Sequence, residues 1–156
     1  MKKKILKIIL AIVILFAVCS AVWFGWSRNK YGRYSGGMKE APFSNFISPH
    51  YIYTDDNKYD YLVRYPDFLS LTGNLSVGLP SKKDEVFTDA LIIWPKMSGE
   101  YELGVLLYDE DGTSYSVYID QEGNALSEED GDAVSRHSDN IRELLDAADE
   151  RWDIID

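Results

Sequence analysis

Cysteine is nearly absent from this chain. The single one, Cys19, lies inside an apolar run, so the rest has no disulfide staple and no thiol chemistry. Histidine is almost as scarce: His50 and His137 stand far apart, and a zinc site needs clustered His, Cys or acidic donors. No Gly-x-Ser-x-Gly elbow occurs, and Gly36-Gly37 lacks the Gly-Lys-Ser/Thr that a phosphate-binding loop requires. The EF-hand pattern is missing too. With Gly112, Gly123 or Gly131 at its sixth position, the first position falls on Leu107, Tyr118 or Leu126, none of which offers a side-chain oxygen suited to calcium. The sequence thus nominates no catalytic, cofactor-binding or metal-ligating residue, and no small-molecule ligand.

Acid is absent from residues 1–39, which carry eight Lys and Arg, a charge of +8. Residues 40–156 carry eight Lys and Arg against 26 Asp and Glu, a charge of −18, and the two parts sum to the formal −10. A phosphate backbone needs cations to neutralise it, so the body is not expected to bind nucleic acid. A cationic protein is the partner that its charge fits, and electrostatic steering would speed the encounter.

What the chain has instead is a long apolar stretch. Residues 5–26 hold one charge, Lys7, and as a helix would extend about 33 Å, enough for a hydrocarbon core of roughly 30 Å. Lys2, Lys3 and Lys4 precede it, in the manner of a signal sequence, and Cys19-Ser20-Ala21 offers a cleavage site after Ala21. The apolar run continues past that point through Val22, Trp23, Phe24 and Trp26, which a span needs and a cleaved signal does not. Trp23 and Trp26 fall where an interfacial aromatic belt would lie. A lipid-modified Cys19 is disfavoured because Val18 precedes it, where a small residue is wanted. Residues 1–27 are therefore read as an uncleaved signal-anchor that binds membrane lipid through residues 5–26. Four lysines and the α-amine on one side, against Arg28, Lys30, Arg33 and Lys39 on the other, favour a cytoplasmic N-terminus and an extracytoplasmic body.

Residues 28–48 read as a juxtamembrane linker, with Gly36-Gly37 as its flexible point. Aromatics crowd the next stretch (Phe43, Phe46, Tyr51, Tyr53, Tyr59, Tyr61, Tyr65 and Phe68), read as a segment pinned against a sheet rather than a sugar platform. The strand pattern is expected to begin at Phe68: a hairpin of 68–72 and 75–79 turning at Gly73-Asn74, a charged loop at 81–85, a strand from Val86 to Trp94, and strands at 101–108 and 115–119. Leu91-Ile92-Ile93-Trp94 is apolar on both faces, as in a strand covered on both sides. Asp109-x-x-Gly112 and Asp120-x-x-Gly123 repeat one turn chemistry.

Ser127 and Asp130 predict a capping box, weakened by Gly131, for a C-terminal helix. Its apolar stripe is Val134, Ile141, Leu144, Leu145, Ala148, Trp152 and Ile155. Its other face is acidic, unlike the Lys/Arg face of an interfacial helix. The expected fold is α+β: an N-terminal transmembrane helix, then an acidic domain over 49–156 in which an antiparallel meander of four or five strands is packed by a C-terminal amphipathic helix. A non-catalytic interaction domain is the expected role. The alternatives are an envelope hydrolase using Asp and Glu, an inhibitor or immunity-like protein docking a cationic partner, and a stalk in an envelope complex.

Overall fold

The structure, a computed structural model, describes residues 2–57, 59–79, 88–109 and 111–155. Helix α1 runs Lys2–Gly32. Its apolar side chains from Ile5 to Val18 are exposed, and Leu6, with 66% of its surface free, is typical. Inside the helix, Ser20 Oγ donates to the Phe16 carbonyl at 2.8 Å. The C-terminal part of α1 behaves differently. Trp23, Ser27 and Tyr31 are buried, and Tyr31 joins the hydrophobic core of the body. Helix therefore continues through Arg28–Gly32, where the sequence reads as linker. Its rings earn more by packing on the sheet than the chain gains from freedom there. The chain turns at Tyr34 and Ser35, whose N–H groups both donate to the Tyr31 carbonyl.

Seven strands follow: β1 Lys39–Glu40, β2 His50–Thr54, β3 Asp60–Arg64, β4 Asn74–Gly78, β5 Ala90–Pro95, β6 Tyr101–Tyr108 and β7 Ser114–Ile119. They form one antiparallel meander in chain order. Two cross-strand rows build its inner face. One is Tyr61, Val77, Leu91, Val105 and Val117; the other is Val63, Leu75, Ile93, Leu103 and Ile119. Every residue in both rows is buried. Such period-two burial is what a sheet with one covered face demands.

The count of seven corrects the expected four or five. Tyr61, Val63 and Tyr65 alternate with Asp60, Leu62 and Arg64, so β3 lay inside the aromatic stretch, with β2 pairing on its outer side. Residues 68–72, expected as a strand, are loop. Ser70 N–H closes a turn on the Asp67 carbonyl, and Leu69 adopts φ 61°, a left-handed conformation that costs a branched side chain roughly 1–2 kcal/mol. The two-sided cover expected for β5 is also corrected: Leu91 and Ile93 are buried, whereas Ile92 and Trp94 are half-buried on the outer face. There the Trp94 ring lies over Gly104, where a Cβ would come within 2.9 Å of it, and packs on Tyr118 at 5.8 Å. The expected loop at 81–85 and strand start at Val86 lie outside the described residues.

The C-terminal helix is in two pieces. After a 3-10 turn at Glu128–Asp130, α2 spans Gly131–Arg136 and α3 spans Ser138–Trp152, with His137 at the break. Ser127 Oγ accepts from Glu129 N–H at 3.3 Å, not from Asp130. Val134, Ile141, Leu144, Leu145 and Ala148 are buried as the stripe predicts. Asp153 leaves the helix at φ 52°, and that turn buries Ile154, which lies off the stripe.

Candidate functional site

An antiparallel meander has two ends, and here they differ. The β1–β2 loop (41–49), the β3–β4 loop (65–73) and the β5–β6 turn (96–100) gather at the end beside α1. The β2–β3 turn (55–59), the end of β4, the start of β5 and the β6–β7 turn (109–113) gather at the far end. Each end carries one organised cluster of side chains.

At the far end, Asp89 leads into β5 and is 4% exposed. Its Oδ1 accepts from Tyr108 N–H at 2.8 Å. Its Oδ2 faces His137 Nδ1 at 2.7 Å and accepts from Asn140 Nδ2 at 2.8 Å. The other imidazole nitrogen, Nε2, lies 3.0 Å from Asp109 Oδ1 in the β6–β7 turn. Arg136 completes the cluster, pairing with Asp109 Oδ2 at 3.1 Å and lying over the Tyr115 ring. Both imidazole nitrogens face carboxylate oxygens, and both can donate only when the ring is an imidazolium. Burial works against that charge, but the hydrogen bonds to Asp109 and Asp89 outweigh it, so His137 titrates above its ordinary value. The same bond from His137, with help from Arg136, holds the Asp109 carboxyl below its ordinary value. Chemically this is a clamp. It fastens the α2–α3 break to β5 and to the β6–β7 turn, and with both nitrogens engaged the ring has none free to take a proton from a nucleophile.

The sequence singled out both histidines without pairing either with acid. His50 opens β2, with Nδ1 3.0 Å from the Ser48 carbonyl and its ring edge-on to Phe43 at 5.4 Å. No signal in the sequence links Asp89, Asp109 and His137, which the folded sheet brings together from positions 20 and 28 residues apart along the chain. The acidic turns weighed for calcium are occupied by their own backbone: Asp120 carboxylate oxygens accept from Asn124, and Asp111 accepts from Thr113 N–H. Among the described residues, no group of three His, Cys, Asp or Glu is placed to hold a metal ion.

The aromatics of residues 43–68 divide. Tyr61 and Tyr65 enter the core, with Tyr51 and Tyr59 packed against it. Phe43, Phe46 and Phe68 stay exposed, together with Ile47, Leu69 and Leu71. Two of these exposed rings, Phe46 and Phe68, sit against α1. Phe68 contacts Phe16 at 6.1 Å and Trp23 at 5.3 Å; Phe46 contacts Phe24 at 5.6 Å. Trp23 Nε1 donates to the Ser70 carbonyl at 2.7 Å, and Arg28 donates to the Phe46 carbonyl at 2.9 Å while lying over its ring. Gly73 N–H donates to Tyr31 Oη at 2.7 Å. Helix and body are thus joined by packing and hydrogen bonds. Comparison of the chain with models of protein families, with curated proteins and with solved structures finds no match.

Proposed function

We propose that this is a single-pass membrane protein whose acidic α+β body stands outside the cytoplasm and works by non-catalytic interaction. The observation that carries the reading is α1: a helix at the N-terminus long and apolar enough to cross a membrane, whose apolar side chains from Ile5 to Val18 are exposed. Exposed apolar surface on that scale calls for lipid. The contact of Phe16, upstream of Ala21, with Phe68 of the body supports retention of α1, because cleavage after Ala21 would remove it. The lysine-rich start supports a cytoplasmic N-terminus.

The interaction surface on this reading is the far end, where the β2–β3 turn carries Asp55 and Asp56 and the β6–β7 turn carries Asp111, and a cationic protein is the matching partner. Two measurements test the proposal. Protease added to intact cells should digest the body, and the cell-expressed chain should keep its full-length mass; protection of the body overturns the topology, and loss of about 2 kDa overturns the anchor. Crosslinking in intact cells, followed by capture at low and high salt, should recover a basic partner whose yield falls with salt.

A further inference from the structure

We infer, resting on the anchor reading above, that the loops 41–49 and 65–73 are immersed in the outer half of the bilayer beside α1, so that the body is seated in the lipid surface. The occupant of this exposed apolar collar is lipid, and continuity with the span is the reason. Phe68 packs on both Phe16 and Trp23, which lie about 10 Å apart along the helix axis. Phe16 is near the middle of the apolar run 5–26 and Trp23 near its outer end. If α1 crosses a membrane, Phe68 is in the hydrocarbon with it.

Composition and exposure agree. Residues 41–49 hold no charge, and 65–73 hold only Asp67, which pairs with Arg64 at 2.8 Å, within a body of charge −18. Phe46 is 77% exposed, Phe43 65% and Leu71 54%. Leu69 is held at φ 61° with half of its surface free, an arrangement with no benefit in water.

The backbone of these loops is also fitted for lipid, where unpaired polar groups are costly. Asn45 Oδ1 accepts from Ile47 and Ser48 N–H, Ser44 N–H donates to the Ala41 carbonyl, and Ser48 Oγ donates to the Tyr65 carbonyl. Trp23 and Arg28 serve the Ser70 and Phe46 carbonyls. Arg28, at the outer end of the span, is at the level of lipid headgroups.

The test uses the full chain carrying Cys19→Ser, reconstituted in phosphatidylcholine–phosphatidylglycerol vesicles. Single cysteines replace Leu10 (in α1), Phe46 and Leu69 (in the collar) or Asp56 (at the far end), all exposed positions, and each carries an environment-sensitive fluorophore. Spin-labelled lipid should quench Leu10→Cys, Phe46→Cys and Leu69→Cys by about twofold and leave Asp56→Cys unchanged. Quenching at Leu10→Cys alone overturns the inference and leaves the anchor standing. Blue-shifted but unquenched emission at Phe46→Cys and Leu69→Cys also overturns it, because a second copy of the chain then covers the collar. Failure of the chain to float with the vesicles removes the anchor reading, and this inference with it.

Discussion

The two ends of one sheet solve opposite problems with the same strands. Beside α1 the loops 41–49 and 65–73 are apolar, nearly uncharged and hydrogen-bonded to themselves or to the helix. At the far end the turns are acidic, and a buried carboxylate is paired with a histidine from the α2–α3 break and hydrogen-bonded by an asparagine of α3. The strands supply a common core, and the loops decide what each end can face. A meander makes this separation possible, because every second connection returns to the same end.

The sharpest way to break the comparison is at Gly73. A Cβ there would lie 2.2 Å from the Arg64 carbonyl oxygen and 2.9 Å from the Tyr31 ring, with backbone on one side and the helix on the other. Gly73→Ala should cost more than about 3 kcal/mol and uncouple α1 from the sheet, seen as loss of the cooperative thermal transition of the full chain in micelles.

Next comes Asp89. Asp89→Ala leaves Tyr108 N–H, Asn140 and His137 without their acceptor at a site 4% exposed, and should lower stability by roughly 2–4 kcal/mol by denaturant titration. An effect below about 0.5 kcal/mol would mean that the far-end cluster does not hold the helices.

The pH dependence expected of the far-end cluster is smaller. The raised value of His137 means that its contribution is complete below 6.5 and is lost as pH climbs through the raised value. Asp109 has a lowered value, so its contribution is complete above 3.8 and is lost as pH falls through the lowered value. The melting temperature should be highest between these limbs. His137→Gln should flatten the alkaline limb and leave the acid limb in part; an unchanged alkaline limb would reject the assignment.

The smallest effect sharpens the contrast. Trp23→Phe removes the donor to the Ser70 carbonyl and trims a ring that packs on Phe24 and Phe68, and should cost about 1–2 kcal/mol, the same at every pH, since no ionisable side chain shares those contacts. A pH-dependent loss would show that the two ends are coupled.

Much of the fold was legible because it rests on local periodicity. Leu103, Val105 and Leu107 alternate through β6, and Val134, Ile141, Leu144 and Ala148 recur at helical spacing; all are buried. The two Asp-x-x-Gly turns were legible from chemistry: Gly112 and Gly123 have φ 84° and 85° and donate to Asp109 and Asp120. Residues 60–64 were harder, because the surrounding aromatics obscured an alternation already present in Tyr61, Val63 and Tyr65. Residues 68–72 misled because alternating Phe68, Ser70 and Thr72 resemble a strand, while their partner is a helix. The site was not legible at all. Asp89 and His137 are each ordinary in their own segments, and only pairing of β5 with β6, followed by docking of α2 and α3, makes them neighbours.

Composition and pattern along the chain were enough to set an apolar N-terminal helix, an acidic α+β body, and the turn and helix residues that shape it. These follow from solvent preference and backbone stereochemistry, which act within a few residues. The tertiary structure alone decided that α1 runs into the core through Tyr31, that Phe46 and Phe68 lie beside the helix, and that His137 closes between two carboxylates. Those contacts join residues tens of positions apart, and their energies exist only once the sheet has set the distances.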